Sequence, residues 1–319
     1  MIGTSTKKNV IVIAGPTASG KSCLALELAK KIGGVIVNAD SVQLYQGLPT
    51  LAAQPGPMDM QIVEHRLYGI FSPRERGTLF DWLMRTKIEI EGISNDSNLP
   101  IVVGGTGLYI SRLLDGIILD MPDVDPVLRN ELDALYNELG WDKFFKIVQQ
   151  IDPESAAKIS FHNRHRLLRV YEVYRLSGKK LSELTRLPNE RIVERTRIFL
   201  INIVPARDTL YDRCSSRFKN MLANSALEEV REFIANYPDI SGSNLPIGHT
   251  IGFCEISSYL DDKLSYGDMI DLVIKNTRHY AKRQYTWFKN QLKDVDHSID
   301  YILTEDNVTE AVEEIISKL

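Results

Sequence analysis

The sequence predicts an α/β protein: a parallel β-sheet flanked by helices and interrupted by an inserted all-helical subdomain. Three observations predict it. Apolar β-branched runs alternate with helical patterns at the start of the chain, the first run opens directly into the glycine-bearing loop GPTASGKS, and between 123 and 197 only helical patterns occur before strand character returns. These boundaries predict a core built from 1–122 and 198–319 and a helical insertion at 123–197.

The elements follow in order. Residues 10–13 (VIVI) form a buried strand, and Gly15, Pro16, Thr17, Ala18, Ser19, Gly20, Lys21 and Ser22 fit the spacing G-x-x-x-x-G-K-[ST]. In a P-loop of this kind, backbone N–H groups wrap phosphate oxygens, the lysine reaches in as a point charge, and the serine hydroxyl is placed for Mg²⁺. The alternative is an ordinary glycine-rich turn, but the helix pattern at 23–30, free of Gly and Pro, supplies the context that the motif needs. The next strand, 35–38, ends in Ala39-Asp40-Ser41. Asp40 therefore lies beyond the carboxyl end of a strand, where open α/β sheets bind ligands. A helix over 78–93 carries Leu79, Leu83, Ile90 and Ile93 on one face. The strand at 100–103 runs into Gly104-Gly105-Thr106-Gly107, which either permits close approach of backbone to a ligand, with the Thr106 hydroxyl beside it, or simply makes a tight connection.

After the break at 121–126 (MPDVDP), helical patterns run to 197, punctuated by Asp152-Pro153, Ser177-Gly178 and Leu187-Pro188-Asn189. A strand follows at 198–203. Helices are expected at 207–222 and 226–236, with one or two more over 264–293.

Composition narrows the function classes. In 319 residues, 44% hydrophobic and 25% charged, nothing marks a disordered, fibrous or membrane protein, and no leader or spanning segment is visible, so a cytoplasmic protein is expected. Cys23, Cys214 and Cys254 are far apart without a C-x-x-C, and only His162 and His165 fall within one helical turn, so neither disulfides nor a histidine metal site is indicated. The net charge of −4 conceals two basic windows: 158–197 holds eleven Lys or Arg against four acids, and 275–293 holds six with no acid. Such windows are the footprint of a polyanion, or else solvated helix faces.

Taken together, GPTASGKS at 15–22, NADSVQLY at 38–45, PIVVGGTGLYI at 100–110, RHRLLRVYEVYRLSGKKLSE at 164–183, LYDRCSSRF at 210–218 and TRHYAKRQYTWF at 277–288 resemble, in this order, the bacterial tRNA dimethylallyltransferases. The resemblance spans nearly the whole chain. It implies a P-loop NTPase-like core and transfer of a dimethylallyl group from its diphosphate, with Mg²⁺, to N6 of the adenosine 3′-adjacent to the anticodon. It also implies roles: Asp40 as the base for N6, Thr106 and Arg217 on the diphosphate near the breaking bond, and Ser41, Val42 and Gln43 beside the target base. The segments His165-Arg166-Leu167-Leu168-Arg169 and His249 with Gly252 and Phe253 match tRNA-contacting positions, and a monomer is implied; Arg278, Lys282 and Arg283, at helical spacing among Tyr280, Tyr285 and Trp287, suit phosphate contact and stacking, although the aromatics equally suit the core. Departures are a missing lysine in 49–55 (PTLAAQP, where the family commonly reads DIGTAKP), Asn163 and His165 for the usual Asp and Gln, and Phe253 for Tyr. Two other classes share some of these features. A small-molecule or nucleotide kinase uses the same loop for ATP, although no second acidic strand end of the Walker B kind is evident, and a non-catalytic RNA-binding module would leave Asp40 incidental.

Overall fold

The computed structural model describes residues 8–193, 196–240, 245–292, 297–299 and 303–319. Arg195 and Lys293, counted in the basic windows, lie outside the described residues. The chain divides into two compact units, one comprising Met1–Leu114 and Val193–Leu319, the other Asp115–Ile192.

In the first unit, strands β1 (Lys8–Ala14), β2 (Gly34–Asn38), β3 (His65–Arg66), β4 (Leu99–Gly104), β5 (Thr196–Ile203) and β6 (His297–Ile299) form one sheet in the order β3-β2-β4-β1-β5-β6, with every neighbouring pair parallel. β1 lies inside the sheet, with Ile11 opposite both Ile101 and Phe199, which explains its uninterrupted apolar run: a strand covered on both faces cannot alternate with polar residues. One face packs Ile11, Ile13, Ile101, Val103 and Ile201 under helix α1 (Lys21–Ile32). The C-terminal helix of the chain covers the same face with Val308, Ala311, Val312 and Ile315. Each such side chain contributes about 1.5–3 kcal/mol by leaving water.

Helices α2 (Pro49–Ala52) and α3 (Pro57–Ile62) follow β2. α4 (Leu79–Asn95) packs against β1, β2 and β4. Thr78 caps α4 by accepting from the Asp81 N–H at 3.1 Å, and buried Trp82 donates from Nε1 to the Asn38 carbonyl at 2.7 Å, tying α4 to the end of β2. α5 (Gly107–Asp115) follows β4 and stacks Tyr109 on Trp82 with ring centroids 4.4 Å apart.

The second unit is helical: α6 (Pro126–Ile151), kinked at Gly140 where φ is 72°, then α7 (Pro153–Ala157), α8 (Arg164–Ser177) and α9 (Leu181–Leu184). Its core gathers Leu128, Leu132, Phe144, Val148, Leu167, Leu168 and Val170. The carboxylate of Glu172, fully buried, receives Arg129 at 2.7 Å and Arg169 at 2.7 Å. The unit begins and ends earlier in the chain than the composition break at 123 and the strand start at 198 suggest. Ile117 and Glu190 exchange backbone hydrogen bonds (3.0 and 2.8 Å), and this pairing closes its two ends at 115 and 192.

The first unit then continues through α10 (Arg207–Ala223), α11 (Ala226–Asn236), α12 (Phe253–Leu260), the single long α13 (Tyr266–Gln291) and α14 (Glu305–Ile316). Among the described residues, no helix is long and apolar enough to cross a membrane.

Candidate active site

The turn after β1 is shaped as a cradle. Gly15 has no room for a side chain, since a Cβ there would stand 2.6 Å from the Ile203 carbonyl oxygen, and Gly20 takes φ 96° before α1 begins. α1 has no side-chain cap at its N-terminus, so its first N–H groups and the positive end of the helix dipole face the loop's interior. The Ser19 hydroxyl is buried there without a protein partner. Lys21 donates from Nζ to the Pro16 carbonyl at 3.2 Å.

Two further turns meet this cradle. Asp40 follows β2 in an Asx turn: its N–H donates to Asn38 Oδ1 at 2.8 Å, and its Oδ1 accepts from the Val42 N–H at 3.1 Å. Asn38, fully buried, donates to the carbonyls of Asp40 and Leu67, which fixes the strand end. The turn after β4 docks on this one without side chains in between. A Cβ on Gly104 would lie 2.1 Å from the Ala39 carbonyl oxygen, and Thr106 donates its N–H to that oxygen at 3.2 Å while Thr106 Oγ1 accepts from the Ser41 N–H at 2.9 Å. From α10, Arg217 donates Nη1 to Thr17 Oγ1 at 2.7 Å, inside the cradle.

Two cavities open from this junction. One of about 860 Å³ is lined by the 18–22 loop and by Leu26, Ile36, Tyr68, Val103 and Met221. The other, about 360 Å³, is bounded by Asp40, Ser41, Val42, Phe218, His249 and Tyr280. Lys21, Ser22, Gln43, Arg217 and Met221 border both. Burial pushes the Lys21 ammonium down to about 8, with Asp40 opposing and Arg217 adding to the fall. Arg217 is likewise lowered by burial and supported by Asp40. Two desolvated cations share a single carboxylate, so an anionic ligand relieves both. Burial and Asp40 raise the phenols of Tyr68 and Tyr280.

A metal ion at the cradle would have one hard oxygen donor, Ser22 Oγ, beside an anion site. That arrangement suits Mg²⁺, which takes few protein ligands and completes its shell with phosphates and water. Among the described residues no group of three His, Cys, Asp or Glu forms a metal site of its own.

The remaining residues singled out in the sequence fall into different settings. His249 lines the smaller cavity, whereas Gly252 starts α12 at φ 97° and Phe253 is buried, edge to face on Phe233. Arg278 holds α10, donating to Ser215 Oγ at 2.9 Å, while Lys282 and Arg283 are exposed and border a groove along α13 with His279 and Trp287. In the second unit His165 and Arg166 are exposed, Leu167 and Leu168 are core, and Arg169 is engaged by Glu172 and the Pro122 carbonyl. The lysine-free 49–55 segment is held without a cation. Gln43 Nε2 donates to the Ala52 and Ala53 carbonyls (3.0 and 2.7 Å), Gln54 Nε2 to those of Gln43 and Tyr45, and the Glu229 carboxylate accepts from the N–H groups of Thr50 and Leu51.

Sequence reasoning passed over Gln284, Glu229 and Gln54. For Gln284 a signal existed: it interrupts the otherwise apolar stripe Ala281–Phe288 on the buried side of α13. For the other two there was none, because their partners lie 9 to 179 residues away on backbone groups.

Fold and site together define a P-loop α/β protein whose phosphate cradle adjoins a second, smaller cavity bearing a carboxylate. The IPP transferase family model matches residues 43–291, and the chain belongs to that family. It is 38% identical over 291 residues to a tRNA dimethylallyltransferase of Paramagnetospirillum magneticum, covering 91% of this chain and 90% of the relative, and 36% identical over 288 residues to one of Ehrlichia ruminantium (89% and 92%). Among solved structures it is similar to the tRNA isopentenylpyrophosphate transferase of Bacillus halodurans (TM-score 0.66, 29% identity, 98% and 96% coverage). It is also similar to a eukaryotic dimethylallyltransferase described as acting on tRNA (TM-score 0.82, 26% identity, 97% and 78%).

Proposed function

We infer that the chain transfers a dimethylallyl group from dimethylallyl diphosphate to N6 of the adenosine 3′-adjacent to the anticodon of tRNA and releases pyrophosphate. The observation that carries this reading is the pair of unequal cavities sharing Lys21 and Arg217, with Asp40 on the wall of one of them. A diphosphate seated on the cradle meets the α1 N-terminus, Lys21 and Arg217. As the bond from C1 to the bridging oxygen breaks, the electron pair stays on that oxygen, and these donors stabilise the charge. Thr106, locked to Ser41, places its hydroxyl between the two turns. The N6 lone pair forms the new bond to C1, and the N6 proton passes to Asp40, whose Oδ1 is held by Val42 and whose Oδ2 faces the Gly105 turn. Mg²⁺ held by Ser22 Oγ and the phosphates would add Lewis-acid stabilisation of the leaving group.

The target base must leave the anticodon stack to enter the smaller cavity, which costs a few kcal/mol and costs least in a loop. Among the basic residues singled out in the sequence, Arg166, Lys282 and Arg283 are exposed and can meet the phosphates of such an RNA. The protein acts as a monomer in the cytoplasm, where tRNA is at hand. Incubation with an anticodon stem-loop RNA, dimethylallyl diphosphate and Mg²⁺, followed by mass analysis of the nucleosides, tests the reading. One adenosine per loop should gain a dimethylallyl unit, and unmodified RNA would refute the assignment.

A further inference from the structure

Gln284 makes a pair of hydrogen bonds that the reaction described above does not use. On α13, 7% exposed, it accepts the Thr17 N–H on Oε1 at 2.8 Å and donates Nε2 to the Gly105 carbonyl at 2.7 Å. Its partners lie 267 and 179 residues away in the chain, one in the phosphate cradle and one in the turn after β4. A single side-chain amide therefore joins the cradle to the turn after β4, which in turn docks on the Asp40 turn. Gly105 makes room for it: a Cβ there would stand 2.6 Å from Gln284 Nε2 and 3.5 Å from Asp40 Oδ2. The chain of contacts continues from Thr17, whose Oγ1 receives Arg217. One turn earlier on the same helix face, Tyr280 lines the smaller cavity.

We propose that Gln284 is a positioning residue for prenyl transfer, a strut that sets the diphosphate cradle, and through Thr17 the Arg217 guanidinium, at a fixed distance from the Gly105 turn and from the base-side wall of α13. The proposal rests on the prenyl-transfer reading and deepens it. The physical ground is that the amide alone matches both loops at once: one partner needs an acceptor and the other a donor, within a buried site where an unmatched backbone group costs about 1–3 kcal/mol. Leucine or methionine fills the space but satisfies neither loop. A glutamate matches both only when protonated, its carbonyl accepting from Thr17 and its hydroxyl donating to Gly105. Ionised, it presents an oxygen lone pair to the Gly105 carbonyl. The charged and titratable groups lining the smaller cavity beside this position are Lys21 on α1, Asp40 after β2, Cys214 and Arg217 on α10, His249 before α12, and Tyr280 and Arg283 on α13. All of these are retained in the variants, so they cancel in a ratio to wild type.

The test compares Gln284→Met, Gln284→Glu and wild type in steady-state prenyl transfer to an anticodon stem-loop RNA, well below each protein's Tm. For Gln284→Met, kcat should fall about 10- to 100-fold, as expected for a misplaced reacting group, while the KM for RNA stays within about threefold. For Gln284→Glu, activity relative to wild type should fall about tenfold or more as pH rises and the carboxyl ionises, because the ionised group can no longer donate to the Gly105 carbonyl. Unchanged kcat in Gln284→Met, a loss accounted for entirely by a lower Tm, or a flat pH ratio for Gln284→Glu would each overturn the proposal. Absence of transfer by wild type would instead refute the prenyl-transfer reading itself.

Discussion

The Lys21 ammonium offers the sharpest quantitative prediction. Burial brings it down to about 8 from an ordinary 10.5 in the absence of an anion. A lysine of that kind is about nine-tenths protonated at pH 7 and about one-tenth at pH 9, whereas an ordinary lysine is charged throughout this window. The protonated form binds diphosphate, and the bound anion restores the proton by favouring the charged form. The sign follows directly: affinity for dimethylallyl diphosphate is full below pH 8 and is lost as pH rises through it. The apparent Kd should weaken about tenfold between pH 7 and pH 9, equivalent to about 1.4 kcal/mol. At pH 9 binding should also take up nearly one proton. Tyr68 and Tyr280 are raised by burial and by Asp40, so neither titrates in this range. Isothermal titration calorimetry without RNA, at fixed Mg²⁺ and in buffers of different ionisation enthalpy, measures affinity and proton uptake together. Lys21→Arg keeps its charge and should flatten the profile. A wild-type affinity constant from pH 7 to 9, or the same slope in Lys21→Arg, would refute the reasoning.

Two further outcomes are expected. Asp40→Ala should lower prenyl transfer by about 10²-fold or more while RNA and diphosphate binding change little, because a general base acts on the chemical step; turnover equal to wild type would remove the base from Asp40. Glu172→Gln strips the charge from a carboxylate that is 0% exposed and holds Arg129 and Arg169, and should cost about 3 kcal/mol in urea denaturation; the exposed Arg74–Asp239 pair sets the comparison, with Arg74→Ala leaving the urea midpoint nearly unchanged.

Much of the core was legible in the sequence. β1, β2, β4 and β5 are apolar runs because they are buried on both faces, and each of the first three ends in a turn whose glycine or Asx chemistry is local. The two-residue β3, the short β6 and the closing helix α14 were not anticipated. Pairing of so short a strand depends on its neighbour in the sheet, as Ile36 pairs with His65, and leaves too brief a pattern to detect. Within the basic motif of α8, the resemblance singled out Arg166 and Arg169 but did not reveal that Arg169 is occupied by Glu172 and the Pro122 carbonyl.

The order of residues alone determined the cradle, the position of Asp40 after its strand, and the family to which the chain belongs, because each rests on contacts between near neighbours. Only the tertiary structure decided which charges stay unpaired, how Gln43, Gln54 and Glu229 hold the 49–55 segment, and that Gln284 bridges two loops. Those outcomes depend on donors and acceptors brought together from opposite ends of the chain, where sequence separation carries no record of distance.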